Sequence, residues 1–242
     1  MAQQVRGLKT SRLIVETAAQ VFCERGYEGT STTEILSRCH VTRGALYFHF
    51  ASKQDLALAV LTAGSDVLLP LQRRLVLQSL IDFSLEYAYR LQTDVVTRAS
   101  VRLRTELEYQ GAPLPEGGDV REVILGLLRE AEKAGEIVPS ADPGEVADVL
   151  VGSSASVSLF RVGQESGLTR RVATLWRYLL PAVAVPGLLM SLQLVLNQAE
   201  RRLRERLAGM PAGGRGEEAT DPPADAPQEA RPGWARPATL MG

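Results

Sequence analysis

STTEILSRCHVTRGALYFHF, residues 31–50, holds two short helical runs separated by a tight turn. Ser31 with Glu34 three residues on forms a capping-box pattern, which opens a helix running to about Arg38. Thr42 caps a second helix of barely two turns that ends near His49 and carries Gly44 in its first turn. Leu46 and Phe50, four residues apart, anchor this helix to Ile35 and Val41. A short second helix with a polar start, set after a tight turn, is helix-turn-helix grammar. An α-helix fits the DNA major groove, and its N-terminus offers unpaired N–H groups to phosphates. Arg43 carries the fork that matches guanine O6 and N7, while Gly44 and Ala45 let the backbone come close. Thr32, Thr33, Thr42, Tyr47, His49 and Lys53 are donors for flanking phosphates, and Lys9 adds a cation from the N-terminal arm. His40 caps or solvates the turn. The blander reading is two core helices with chance polar ends.

Outward from this stretch, apolar spacing near 3.6 recurs and hairpin-bounded alternating runs are hard to find, so the fold class is all-α. A helix over about Lys9 to Arg25 places Leu13, Ile14, Thr17, Ala18, Val21 and Phe22 on one stripe, with Gly26 as a left-handed stop. Ser52 and Asp55 cap the next helix. Further helices fall near 78–92, 94–109, 119–134, 142–163, 169–185 and 187–207, with a loop at 111–118. Asp142-Pro143-Gly144-Glu145 marks the start of one of them. Twelve of the residues from Ala208 onward are Pro or Gly, so disorder is expected over 208–242. The expected organisation is an N-terminal arm and DNA-binding unit over 1–51, a helical effector-binding and dimerisation domain over 52–207, and that tail.

The 242 residues carry a net charge of −1, which argues against bulk coating of a polyanion but leaves room for a locally basic end. Cys23 and Cys39 are too few for a disulfide framework and read as small buried hydrophobes. No secretory leader is recognisable, and the most apolar stretch, Leu179 to Leu192, is 14 residues with two prolines inside it. About 20 residues are needed to cross a bilayer. A cytoplasmic, nucleoid-associated protein is expected. Both histidines sit in the helix-turn-helix, and no HExxH, phosphate loop or nucleophile motif is present, so neither catalysis, metal nor cofactor is implied.

The segment AAQVFCERGYEGTSTTEILSRCHVTRGALYFHFASKQDLALAV, residues 18–60, resembles the tetracycline-repressor-like (TetR) family of transcriptional regulators. That resemblance implies a homodimeric repressor with three short DNA-binding helices, a palindromic operator, and a larger helical domain whose small-molecule effector releases the DNA. It assigns base or near-base contact to Thr42, Arg43, Gly44 and Ala45, and phosphate contact to Tyr47, His49 and Lys53. Residues 147–188, with TRASVRL at 97–103, further resemble the γ-butyrolactone receptors of actinomycetes. Those receptors carry a pocket tryptophan where this chain has EYQGAPLPEGGDVRE, and Ala155 stands where a lactone-binding hydroxyl is expected. That combination resembles the pseudo-receptors, which keep the fold and DNA reading but respond to other ligands, such as antibiotics or pathway intermediates, or poorly to lactones.

Phe83, Tyr87, Val101, Thr105, Val123, Leu127, Val157 and Phe160 are the candidate effector-pocket residues, although core packing accounts for each singly. Leu175, Trp176, Leu179, Leu188, Leu192 and Val195, on the last two stripes, are the candidate dimer interface, a four-helix bundle formed with a partner. Arg201, Arg202, Arg204 and Arg206 read as solvated cations at a helix C-terminus. The competing function is a helical small-molecule-binding module without sequence-specific DNA binding.

Overall fold

Capping residues start the helices where the sequence places them. In a computed structural model of the chain, residues 2–65, 70–114, 119–159 and 167–209 are described. They form α1 (Ala2–Gly29), α2 (Thr32–Cys39), α3 (Arg43–His49), α4 (Lys53–Ser65), α5 (Val76–Thr93), α6 (Val95–Tyr109), α7 (Val120–Lys133), α8 (Pro143–Leu159), α9 (Leu168–Val183), a 3-10 turn (Pro186–Leu188) and α10 (Leu189–Ala208). The Glu34 N–H donates to Ser31 Oγ at 3.1 Å, Ala45 to Thr42 Oγ1 at 3.2 Å, Asp55 to Ser52 Oγ at 3.0 Å, and Glu145 to Asp142 Oδ1 at 2.9 Å. Each bond satisfies one donor that a helix start leaves orphaned. Glu34 does not complete its box, because its carboxylate is drawn to Arg38 at 2.6 Å.

α1 starts earlier and ends later than the apolar stripe suggests. Gly26 takes φ 73°, ψ 178° inside it, a conformation open essentially to glycine, and the chain resumes a last turn to Gly29. Leu13, expected on the buried stripe, is 45% exposed, whereas Ile14, Ala18, Val21 and Phe22 are buried. Most of the tail, the loop residues 115–118, Phe160 and the side chains of Ala155 and Val157 lie outside the described residues.

Apolar burial forms two clusters. Ile14, Ala18 and Phe22 of α1, Ile35 of α2, Leu46 of α3 and Leu56 and Val60 of α4 make one, and Ala99, Leu103 and Leu107 of α6 close it. The other gathers α5, α7, α8, α9 and α10 around Leu80, Leu85, Leu128, Trp176, Leu180 and Leu196. The division drawn at 51/52 is therefore one of expected roles, since α4 and α6 complete the apolar packing of the N-terminal helices. α4 crosses α6 closely: a Cβ on Gly64 would stand 2.3 Å from Ser100 Oγ. Glu136 ties the second cluster together. Its carboxylate accepts the Val76 and Leu77 N–H groups at 3.0 and 2.8 Å, capping α5 from 59 residues away.

The four arginines near the end of α10 are not simply solvated. Arg206 donates to Glu86 at 2.7 Å and covers the Tyr89 ring at 4.1 Å, and Arg202 faces Asp82, so two of them hold α10 against α5. Arg204 pairs with Glu200 and Arg201 with Glu205 along α10 itself. Among the described residues no helix is long and apolar enough to cross a membrane.

Candidate nucleic-acid and effector sites

α3 owes its orientation to Leu46, which is wholly buried, and to Phe50 just beyond its end. With those side chains turned inward, Thr42, Arg43, Gly44, Tyr47 and Phe48 face solvent. The Arg43 guanidinium lies 5.6 Å from the Tyr47 ring centre, and the Tyr47 hydroxyl is 3.5 Å from Thr32 Oγ1. Thr32 and Arg43 draw the Tyr47 phenol below its ordinary pKa. A positive, donor-rich surface thus runs from the start of α2 to the outer face of α3. Apart from the adjoining residues and the backbone of α3 itself, no atom lies within 4 Å of a Cβ built on Gly44, so a flat approach to the backbone is open there. His49 is half-buried, with its Cε1 4.0 Å from where a Cβ on Gly7 would stand, so the start of α1 passes the end of α3. Lys9 and Thr33 are exposed, and Ala45 is half-buried.

Two residues depart from the sequence reading. The Lys53 ammonium donates to the carbonyls of Tyr27 and Thr30 at 2.9 and 3.2 Å and sits 4.4 Å above the Tyr27 ring. It thereby holds the last turn of α1 to the start of α4. Phe48 carries no role in the sequence reading, yet it is 84% exposed on α3, the least buried aromatic side chain of that helix. Its signal was its position two residues past the inward Leu46.

Of the effector candidates, Phe83 and Tyr87 stack with ring centres 6.2 Å apart and planes 7° from parallel. Burial pushes the Tyr87 phenol up to about 12 despite the nearby Arg104. Val123 and Leu127 of α7 pack against the same cluster. Val101, 41% exposed, and Thr105 instead occupy the open face of α6, where Thr105 Oγ1 donates to the Val101 carbonyl at 3.1 Å.

The dimer candidates divide likewise. Trp176 and Leu192 are completely buried inside the single chain, and the Trp176 indole donates to Ser84 Oγ at 2.7 Å. Neither retains surface for a partner, which corrects their assignment to an interface. Leu175, Leu179, Leu188 and Val195 remain half-buried at the edge of a face that exposes Tyr178, Met190 and Leu194.

With this geometry, residues 14–60 match the model of bacterial regulatory proteins of the tetR family. The A-factor receptor protein of Streptomyces griseus is 37% identical over 191 residues, which cover 78% of this chain and 69% of the relative. The chain belongs to the tetR family. Its tetR-family fold extends to solved structures. A gamma-butyrolactone receptor (ArpA-like protein) superposes with a TM-score of 0.67 at 28% identity, covering 82% of this chain and 99% of the other. CprB of Streptomyces coelicolor, solved with its operator sequence, gives 0.66 at 30%, covering 81% and 99%. The tetR-family match spans α1 to α4, the same helices whose apolar side chains pack beneath the solvent face of α3.

Proposed function

We propose that this chain is a cytoplasmic homodimeric repressor that grips a palindromic operator through two copies of α3 and lets go when a small molecule binds its larger helical cluster. The observation that carries this reading is the outer face of α3. Arg43, Gly44, Tyr47 and Phe48 are presented to solvent by a helix that one wholly buried leucine locks in place. Thr42, Arg43, Gly44 and Ala45 approach the bases, and Lys9, Thr32, Thr33, Tyr47 and His49 position the phosphates. The two α3 helices of a dimer enter successive major grooves about 34 Å apart. Lys53 serves this surface by fixing α1 to α4, through the carbonyls it holds.

Relatives named as receptors for A-factor and gamma-butyrolactone favour an effector of the butyrolactone type, or an antibiotic or pathway intermediate in its place. Phe83, Tyr87, Val123 and Leu127 supply its apolar wall. Val157 and Phe160 stay assigned to the same pocket, whereas Val101 and Thr105, on the open face of α6, do not join its wall. Release requires only that effector favour the dimer spacing that misses the grooves; reversing a 99:1 population takes about 5.5 kcal/mol of differential binding.

The test is capture of genomic fragments by the purified protein, followed by titration of the recovered operator. Arg43→Ala should cost about 1–3 kcal/mol on operator and little on random DNA. Equal losses on both would remove Arg43 from base reading. Failure to prefer any duplex would leave the ligand-binding module without DNA specificity.

A further inference from the structure

On a different face of α5 from Phe83 and Tyr87, a cleft of about 400 Å³ lies between α5 and α10. Four arginines, Arg73, Arg90, Arg202 and Arg206, line it against two carboxylates, Asp82 and Glu86, which leaves an excess of two positive charges. The carboxylates organise the guanidinium groups in two tiers. Asp82, only 9% exposed, accepts from Arg73 at 2.8 Å and faces Arg202 at 3.7 Å. Glu86 accepts from Arg90 at 3.2 Å and from Arg206 at 2.7 Å. The Tyr89 ring beneath Arg206 fixes that fork in addition. A guanidinium has five N–H donors, more than one shared carboxylate accepts. The arginine side chains meanwhile remain between 35% and 60% exposed.

Asp82 and Glu86 are four residues apart on α5, as are Arg202 and Arg206 on α10, so the tiers are separated by one helical step of about 6 Å. We propose that this cleft is a second ligand site, for a small metabolite bearing two phosphoryl groups about that far apart. Each phosphoryl group takes the outer edges of one guanidinium pair, the bidentate pairing in which arginine surpasses lysine. Leu85 and Leu203 form an apolar floor for the carbon frame between them. Because α5 continues through Asp94 into α6, which packs on α1, a ligand that clamps α5 to α10 reaches the same helices that position α3.

Calorimetric titration of the full chain with 2,3-bisphosphoglycerate at low salt tests the site, with inorganic phosphate at matched ionic strength as the single-group control. One bisphosphate should bind per chain, at least tenfold tighter than inorganic phosphate. Arg202→Ala and Arg73→Ala should each weaken it tenfold or more, and Arg129→Ala, at an exposed arginine of α7 outside the cleft, should leave it unchanged. Thermal melts show that each variant is folded, and the two cleft substitutions stand as independent checks. Binding no tighter than inorganic phosphate, or affinity that survives both cleft substitutions, overturns the proposal. DNA is not needed for this readout, so it is decided separately from the repressor reading.

Discussion

A methyl group added at Gly44 would touch nothing in its own chain beyond the adjoining residues and the backbone of α3, so any need for glycine in the first turn of α3 comes from outside. Gly44→Ala should stabilise the free protein by about 0.5–1 kcal/mol, because alanine is the better helix former, while weakening operator binding. Opposite movements of the melting temperature and the DNA affinity are the expected signature; undiminished affinity would show that no backbone approaches there. Lys53 behaves in the reverse way. Hydrogen bonds from a charged donor to two carbonyls are worth about 2 kcal/mol, so Lys53→Ala should lower the melting temperature and not merely flatten the salt dependence of DNA binding. A melt identical to that of the unchanged chain would return Lys53 to the phosphates. Sequence reasoning found a lysine in a DNA-reading motif, but its actual acceptors are backbone carbonyls 23 and 26 residues away, which no pattern of side chains encodes. Phe48 was overlooked for a related reason. An apolar residue two positions from both Leu46 and Phe50 reads as core until those two fix the helix phase.

Among elements, the junction of α1 with α6 is the most demanding. At the Gly26 break the Tyr27 N–H donates to Glu106 Oε2 at 2.6 Å, and Arg102 donates both to the Cys23 carbonyl and to Glu106. A Cβ on Gly26 would stand 2.8 Å from both Arg102 and Glu106, at a φ of 73° that L-residues avoid. Gly26→Ala should therefore cost more than the usual glycine penalty of about 1 kcal/mol, measured by denaturant unfolding. Burial alone would raise the Glu106 carboxyl, but the Tyr27 N–H and the Arg102 guanidinium outweigh it and hold it below its ordinary value of 4.5. Its stabilisation is present above that value and lost as pH falls through the lower folded one. Glu106→Gln should accordingly flatten the stability curve in that acid window, and an unchanged acid limb would deny the clamp. Helix starts were legible in the sequence because capping is local: Ser31, Thr42, Ser52 and Asp142 each accept a bond from three residues ahead. The clamp was not, since its partners are 79 residues apart. The α5–α10 pairs left only a faint trace, acids at 82 and 86 and arginines at 202 and 206 in the same four-residue step.

At the scale of the whole molecule, a repressor needs its two α3 helices held at a fixed spacing, which requires a stiff joint between chains and another between body and DNA-reading helices. The second is supplied by α6 and α4, buried with α1 around Leu103 and Leu61. For the first we propose the outer face of α9 and α10, where Tyr178 is 79%, Met190 85% and Leu194 58% exposed beside the half-buried Leu175, Leu179, Leu188 and Val195. An apolar surface of this kind is costly to leave in water, at about 25 cal/mol per Å². The stripe that sequence spacing picks out on these helices takes in Trp176 and Leu192, which belong to the chain's own core, because periodicity cannot distinguish the side of an apolar helix that meets its own core from a side left for a partner. The distinction is measurable. Met190→Glu with Leu194→Glu should produce a folded monomer, with an unaltered melt at high dilution and operator affinity reduced to that of a single half-site. Leu192→Glu should instead unfold the chain, since it places a carboxylate at a wholly buried position of the apolar core. Sedimentation of the double variant as a dimer would place the interface on another face of the molecule, and a folded Leu192→Glu monomer would restore Leu192 to it.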